Sequence, residues 1–495
     1  MLNKIDKSII QLAQKVTRTF PAAEVFLVGG AVRDLLLNKK IKDYDLLVRG
    51  VPAKPLEAFL RKNGKVDLVG KSFGVFKFNP KLPDPSSQFP SPIDIALPRT
   101  EYSIDRSGAY RDFKVQTNYR LKIEEDLSRR DFTVNAMALD LISGKIVDPF
   151  AGQKDLVKKI IRAVGKPSVR FAEDYSRMLR AIRFACQLDF AIEKNTWATI
   201  KKLAPKINKK NGNDFVVPRE TIAKDLLKAF YAAPVLALGL FDQAGFIKQL
   251  MPELLKIKKC PQPNNWHSEG DVWQHTVLAL KTLTSKRFQK LYPGYPSVNL
   301  IIGLLFHDIG KPYTIQTPEK NGSDRIRFNE HDLVGAKKAK EICDRLKLSA
   351  YKDADIDCDP DKVFWLIAKH MIAVHGRIAE MKSTTIEKYF FIAPAGQDLI
   401  KLIHADEMAT VPAKGEKFIS YSAALRRRIA VLAKLAKNKK TLPAPILDGN
   451  EIIKILKIKP GPHVGRAIAK LREEQLRGRV KTKQQAMKFI KKLTS

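Results

Sequence analysis

Only four cysteines occur in 495 residues, at Cys186, Cys260, Cys343 and Cys358, and none stands in CxxC spacing. That excludes a disulfide framework and a zinc knuckle, and leaves reduced, packed thiols as the expectation. Long apolar runs are missing as well: no stretch reaches the roughly eighteen residues a spanning helix needs. Residues 1–20 alternate lysine with aliphatics like an amphipathic helix, without the apolar core and small-residue cleavage site of a signal peptide. A cytoplasmic protein without a membrane partner is expected. No solenoid-type repeat is present. Acidic residues are few beside basic ones, 52 Asp+Glu against 89 Lys+Arg, which leaves a net charge of +37. Such a surplus attracts a polyanion and makes binding salt-dependent. Solubility alone would also explain charge, but the basic residues recur beside the polar motifs and crowd the C-terminal part, which favours nucleic acid.

What is present suffices for several cores. Apolar residues make up 44%, and the length calls for three or more domains. Residues 1–150 mix short β-rich runs at 25–28, 44–48, 75–78 and 93–97 with helical stretches. This part reads as an α+β domain with a mixed sheet. Residues 151–258 turn helical, with apolar positions three and four apart in 175–188 and 222–232. A proline-containing joint at 259–265 leads into a second helical block, 265–436, which holds most of the histidines. A basic linker and a small helical module, 445–495, follow. The Pro- and Ser-rich segment 80–92 reads as an exposed loop.

The run Phe26-Leu27-Val28 is a short strand that enters Gly29-Gly30, and a helix carrying Arg33 follows at once. Such a turn brings backbone amides and a helix N-terminus close to phosphate oxygens, and Arg33 adds a charge-assisted contact. Asp43-Tyr44-Asp45 opens the next strand, and strand residues two apart project from one face, so both carboxylates converge. Magnesium suits that pair because it takes oxygen ligands and bridges to substrate phosphates. Asp94, in the alternating run Ile93-Asp94-Ile95, offers a third carboxylate. Three acids on adjacent strands are the pattern for two ions serving an in-line displacement. A solvated turn is the alternative for Asp-x-Asp taken alone.

Two denser blocks come next: Asp126-Leu127-Ser128-Arg129-Arg130-Asp131-Phe132-Thr133-Val134-Asn135-Ala136, and Glu173-Asp174-Tyr175-Ser176-Arg177-Met178-Leu179-Arg180-Ala181. With these, the sequence resembles the class II CCA-adding enzyme and bacterial poly(A) polymerase family, in order from Val28 to about Leu227, with Pro218-Arg219-Glu220 resembling its last motif in this region. The resemblance implies a nucleotidyltransferase head over 1–150, a helical neck over 151–258, and tRNA, CTP and ATP as partners. It also implies that Asp43 and Asp45 bind metal and that Arg130, Asp131 and Asn135 recognise ribose and triphosphate, with Arg180 among the nucleotide-binding residues. Asp174 and Arg177, three apart on an expected helix, share a face. Arginine donating to a ring nitrogen and a carboxylate accepting from an exocyclic amine would imitate a Watson–Crick partner for cytosine or adenine. Uracil and guanine would leave those groups unpaired. An intrahelical ion pair is the other reading. Gly108, Arg106 and Arg111 lie where related enzymes carry a flexible loop that helps switch between C and A addition, and a loop of that length argues against a CC-only enzyme.

Of only eight histidines, His275, His307, His331 and His370 fall in the second helical block. His307-Asp308 closes the apolar run 300–306 and precedes Ile309-Gly310-Lys311, which resembles the motif of HD phosphohydrolases. The resemblance adds His275 and Asp406 as ligands of one metal, and His331 and His370 as those of a second. Imidazoles with carboxylates suit a divalent transition metal better than magnesium, and Asp308 could bridge two ions. His375, His404 and His463 read as ordinary packed residues, and a purely structural role for the whole set is the alternative. Some CCA-adding enzymes carry this domain and hydrolyse phosphoesters such as 2′,3′-cyclic phosphates. In the C-terminal module, a Pro-Gly-Pro turn opens a helix bearing Arg466, Lys470 and Arg472, placed for RNA backbone contact or simply forming the wet face of a helical cap.

Overall fold

The computed structural model describes residues 1–41, 43–69, 75–81, 92–103, 113–373, 378–414, 420–435 and 442–493. Most of the 80–92 loop, Arg106, Gly108, Arg111 and His375 lie outside the described residues. The chain divides into two compact units, Met1–Leu250 and Met251–Ser495.

The first unit opens with α1 (Lys7–Thr19), whose Asp6 caps the N-terminus by accepting from Ser8 N–H and whose Ile9, Ala13 and Val16 form the buried stripe. Then come β1 (Glu24–Val28), α2 (Gly30–Leu36), β2 (Asp45–Arg49), α3 (Ala53–Asn63), β3 (Gly64–Val69), β4 (Val75–Pro80) and β5 (Ile93–Ala96). A hairpin of β6 (Arg99–Ser103) and β7 (Phe113–Thr117), helix α4 (Ile123–Ser128), and β8 (Ala138–Asp140) with β9 (Ile146–Val147) complete the α+β part. The main sheet runs β3-β4-β5-β2-β1-β8-β9, and β2 with β5 is its parallel pair. Strand β1 sits between β2 and β8, which explains why Val25 to Val28 are all buried and read as one apolar run. The helical remainder of the unit is α5 (Gly152–Val157), α6 (Pro167–Glu173), α7 (Ser176–Leu188), α8 (Lys194–Leu203), α9 (Arg219–Ala232), α10 (Pro234–Gln243) and α11 (Phe246–Leu250). Helix α7 packs on α9.

The second unit contains α12 (Val272–Leu283), α13 (Lys286–Leu291), α14 (Val298–Phe306), α15 (Lys311–Thr314), α16 (Pro318–Asn321), α17 (His331–Arg345), α18 (Pro360–Lys369), α19 (Ser383–Glu387), α20 (Gly396–Ala409) and α21 (Tyr421–Ala433). All nine residues of α14 are buried, as the apolar run 300–306 demands of a central helix, with Asn299 satisfied by the Asp357 carbonyl and Asp359 N–H, and α12, α17, α18 and α20 pack around it. The C-terminal module folds as α22 (Gly449–Leu456), α23 (Pro462–Leu476) and α24 (Lys483–Lys492) around its own core of Leu447, Ile452, Val464, Leu471 and Ile490. Arg472 clasps both carboxylate oxygens of Glu387 at the end of α19. Glu473 accepts from the first backbone amides of that helix, Ser383 N–H and Thr384 N–H, both at 2.9 Å.

Candidate nucleotidyl-transfer site and metal centre

In the first unit, Asp45 begins β2 and stands directly across from Asp94 on the parallel strand β5. Asp43 does not belong to the strand: it lies in the bend before it, so it approaches Asp45 by a turn of the chain and not by strand alternation. Partial removal from water is the largest influence on the Asp45 carboxyl. Arg130 lowers its pKa, Asp94 and Asp43 raise it, and the net result is about 6. Carboxylates that press one another this way are a fitting donor set for a hard divalent cation.

The turn between β1 and α2 places Gly29 at φ +72°, where a side chain would be strained, and an added Cβ would lie 2.7 Å from Arg130 Nη1. Behind this turn runs a continuous polar chain. Arg33 Nη1 donates to Asn135 Oδ1 at 2.8 Å, Asn135 Nδ2 donates to Asp131 Oδ1 at 3.3 Å, and Arg180 Nε donates to Asp131 Oδ2 at 2.8 Å. Burial opposes ionisation of Asp131, but Arg180 and its hydrogen bond hold the carboxyl down at about 2. Arg33, Arg180 and Arg183 surround the Phe184 ring, with guanidinium carbons 5.4, 5.6 and 4.4 Å from its centroid. Arg183 also pairs with Asp225 at 2.5 Å, a buried bridge from α7 to α9.

The expected partnership of Asp174 and Arg177 takes a different form. Asp174 ends α6 instead of sharing a helix with Arg177, and its Oδ1 accepts from Ser176 N–H at 2.8 Å. Arg177 donates to Glu173 Oε2 at 2.7 Å and to the Arg129 carbonyl at 3.3 Å. Both side chains are nearly buried, so the intrahelical alternative fails for this pair, and Glu173 is the acid that holds the arginine. Sequence reasoning passed over Glu173, Phe184 and Asp225. Glu173 at four-residue spacing before Arg177 was the available signal.

In the second unit, His275 from α12, His307 and Asp308 at the end of α14, and Asp406 from α20 converge. His275 Nε2 lies 2.8 Å from Asp406 Oδ1, and His307 Nε2 lies 3.2 Å from Asp308 Oδ2. The other oxygen, Asp308 Oδ1, faces His331 Nε2 at 3.5 Å and His370 Nε2 at 4.0 Å. One carboxylate therefore addresses two groups, His275/His307/Asp406 and His331/His370, each close enough to hold an ion. Gly310 permits this: its Cβ position lies 2.0 Å from the carbonyl oxygen of His331, so only glycine lets α17 begin so near the end of α14.

The ring orientations argue for metal ligation. His307, His331 and His370 each turn Nδ1 to the backbone carbonyl three residues earlier, at 2.8, 2.7 and 2.6 Å. His275 turns Nδ1 to the Glu269 carboxylate at 2.9 Å. With every Nδ1 engaged by an oxygen acceptor, all four Nε2 atoms face the centre, and His307 Nε2 is buried without a hydrogen-bond partner among the described residues. Burial would keep these imidazoles neutral. The Asp308 and Asp406 charges overcome that at His307 and raise it to about 10, a measure of the positive charge this pocket attracts. Lys311 Nζ adds a contact to Asp308 Oδ2 at 2.7 Å. His404, as expected, is a packed residue, hydrogen-bonded to Ser422 Oγ at 2.8 Å. Arg466 and Lys470 are exposed on α23, whereas Arg472 faces inward on Glu387 and Gln475 and is not presented to a ligand.

The geometry defines a nucleotidyltransferase head joined to an HD domain, and comparison with known proteins agrees. The poly(A) polymerase head domain family matches residues 25–162, and the HD domain family matches 288–409. An A-adding tRNA nucleotidyltransferase of Deinococcus radiodurans is 30% identical over 473 residues, covering 94% of each chain. A multifunctional CCA protein of Stenotrophomonas maltophilia is 32% identical over 367 residues, covering 73% of this chain and 79% of that protein. The fold matches a Bacillus stearothermophilus CCA-adding enzyme solved with CTP at a TM-score of 0.61 and 20% identity, over 99% of this chain and 97% of that one. The chain belongs to the tRNA nucleotidyltransferase and poly(A) polymerase family. No helix among the described residues is long and apolar enough to cross a membrane.

Proposed function

We propose that this protein adds CCA to the 3′ end of tRNA from CTP and ATP in the first unit, and hydrolyses phosphoesters, 2′,3′-cyclic phosphates among them, in the second. The observation that carries the first part is the register of Asp45 against Asp94, with Asp43 beside them and the Arg33–Asn135–Asp131–Arg180 chain behind. Asp43, Asp45 and Asp94 would hold magnesium, which when bound would activate the terminal 3′-hydroxyl and stabilise the leaving pyrophosphate. Gly29 and Gly30 bring backbone amides to the phosphates, and Arg33 and Arg130 add charge. Asp131 and Asn135 address the ribose hydroxyls, with Asp131 fixed by Arg180. Asp174 and Arg177 judge the base. Glu173 and the Arg129 carbonyl fix the guanidinium, so its remaining donors are pre-aimed.

In the second unit, His275, His307, Asp308 and Asp406 would hold one divalent transition metal, and Asp308, His331 and His370 a second; bound there, the ions would polarise a phosphoryl oxygen. Arg466 and Lys470 would steady the tRNA backbone. We divide the chain into head (1–150), neck (151–258), HD body (265–436) and RNA-binding tail (445–495), and place the protein in the cytoplasm, a reading the four buried free cysteines support.

Two features support tRNA over general polyadenylation: the HD centre, and the Deinococcus and Stenotrophomonas relatives. The Deinococcus relative, an A-adding enzyme along nearly its full length, favours a second reading in which only the final A is added. Incubating the protein with tRNA lacking CCA, and with tRNA ending in CC, against each labelled nucleotide tests both. Stopping after C, C and A on the first substrate is expected. Extension of the second substrate alone establishes the A-adding reading, and long A-tails on any RNA overturn both.

A further inference from the structure

Three of the four clustered histidines are aimed by a neutral backbone carbonyl; His275 alone is aimed by a carboxylate. We propose that Glu269 is a positioning residue for His275, making the ion held by His275, His307 and Asp406 the tighter of two. This rests on the metal-centre reading given above.

Glu269 is 2% exposed in its side chain and uses both oxygens. Oε1 accepts from His275 Nδ1 at 2.9 Å and from His267 Nδ1 at 2.7 Å. Oε2 accepts from Val411 N–H at 3.0 Å, just beyond the end of α20, the helix that carries Asp406. Ser268 closes the same junction, its N–H and Oγ each 2.9 Å from the Val411 carbonyl. A single carboxylate thus turns one ligand and braces the chain that presents another. An anion on Nδ1–H makes Nε2 a stronger donor than a carbonyl does, because negative charge is returned to the ring as Nε2 shares its lone pair. His331 and His370 have no such acid, so the asymmetry belongs to one side of Asp308. His267, with its ring edge-on to His275 at 5.3 Å, holds the Glu269 rotamer from the other side.

The test is a Co(II) titration of full-length, metal-stripped protein carrying Asp43→Ala and Asp45→Ala, so that the ions counted belong to the second unit. It is followed by calorimetry and by visible absorption. Two binding steps are expected. Glu269→Gln should weaken the tighter step about ten- to a hundredfold and shift its absorption bands, while the weaker step and the melting midpoint stay within error. In a His275→Ala background, Glu269→Gln should add nothing, because the glutamine oxygen still accepts from Val411 N–H and the lost charge acts through that ring. Should Glu269→Gln fold poorly, Glu269→Asp, which withdraws the carboxylate by one methylene, should weaken the same step. Unchanged affinity in the folded variant, equal weakening of both steps, or a third ion lost with Glu269 would overturn the proposal. Absence of Co(II) binding by the protein with Glu269 intact would instead remove the metal-centre reading, and this inference with it.

Discussion

The two polar centres of this chain are organised in opposite ways. In the head, the three acids stand near the starts of two central strands, β2 and β5, Asp43 and Asp45 exposed, and partial desolvation, with repulsion from Asp94 and Asp43 added to it, holds Asp45 at about 6. The elaborate preparation lies behind them, where Arg33, Asn135, Asp131 and Arg180 are locked into one hydrogen-bonded chain. In the second unit every donor but the half-buried Asp406 is buried and every imidazole is aimed. On the proposed reading the head is a cradle for a nucleotide that would bring ions with its phosphates, and the histidine centre a cage for ions that would act on a phosphoester. A few hard oxygen ligands completed by substrate phosphates and water, and imidazoles fixed in place, are the two donor sets these tasks call for.

The contrast breaks most visibly if the centres prove interdependent. Asp43→Ala with Asp45→Ala should lower nucleotide incorporation by at least about 10⁴-fold while cyclic-phosphate hydrolysis persists, both read on the same preparation. His307→Ala should do the reverse, reducing hydrolysis at least about a hundredfold and sparing tRNA tailing; a joint loss in either case would end the idea of two independent centres. Next in size, Asp225→Asn leaves Arg183 buried without its counter-charge and should destabilise the first unit by about 3–5 kcal/mol, seen as a drop in the earlier or later of two calorimetric transitions and not in both. Arg177→Ala should relax discrimination between CTP and UTP by about a hundredfold, in competition assays, without touching hydrolysis. The smallest effect concerns pH. Asp45 carries a proton below about 6, and a protonated carboxyl does not compete for a cation, so magnesium stabilisation of the first unit should be full near pH 7.5. It should fall about tenfold in apparent affinity for each unit below 6, as measured by thermal shift with and without the ion. The histidine centre should weaken from a higher pH, because His307 holds its proton up to about 10 and protons compete with metal at Nε2, so a response confined to the range near 6 belongs to the head.

Much of this was legible in the sequence because the chemistry is local. Apolar runs announced β1, β2 and α14, and Gly29-Gly30, Asp43/Asp45 and His307-Asp308 stood beside them. The parallel register of Asp45 with Asp94 was not readable, since it depends on β5 inserting next to β2 across intervening strands. The partners of the histidine Nδ1 atoms were equally silent, three being backbone carbonyls that any residue supplies. Asp174 was misplaced on a helix because charged spacing continued smoothly across the break between α6 and α7. Arg472 looked like its neighbours Arg466 and Lys470, and only the packing of α23 against α19 separates it from them.

The clasp between α23 and α19 bears on how this protein should be dissected. Glu473 supplies the N-terminal cap of α19, and Arg472 neutralises Glu387 at its other end. A truncation ahead of residue 445 would therefore uncap a helix of the HD body and strand a buried acid, besides removing basic residues from RNA. Charge-reversing point changes at Arg466 and Lys470 leave that helix roofed, and they separate a grip on RNA from the integrity of the fold beneath it.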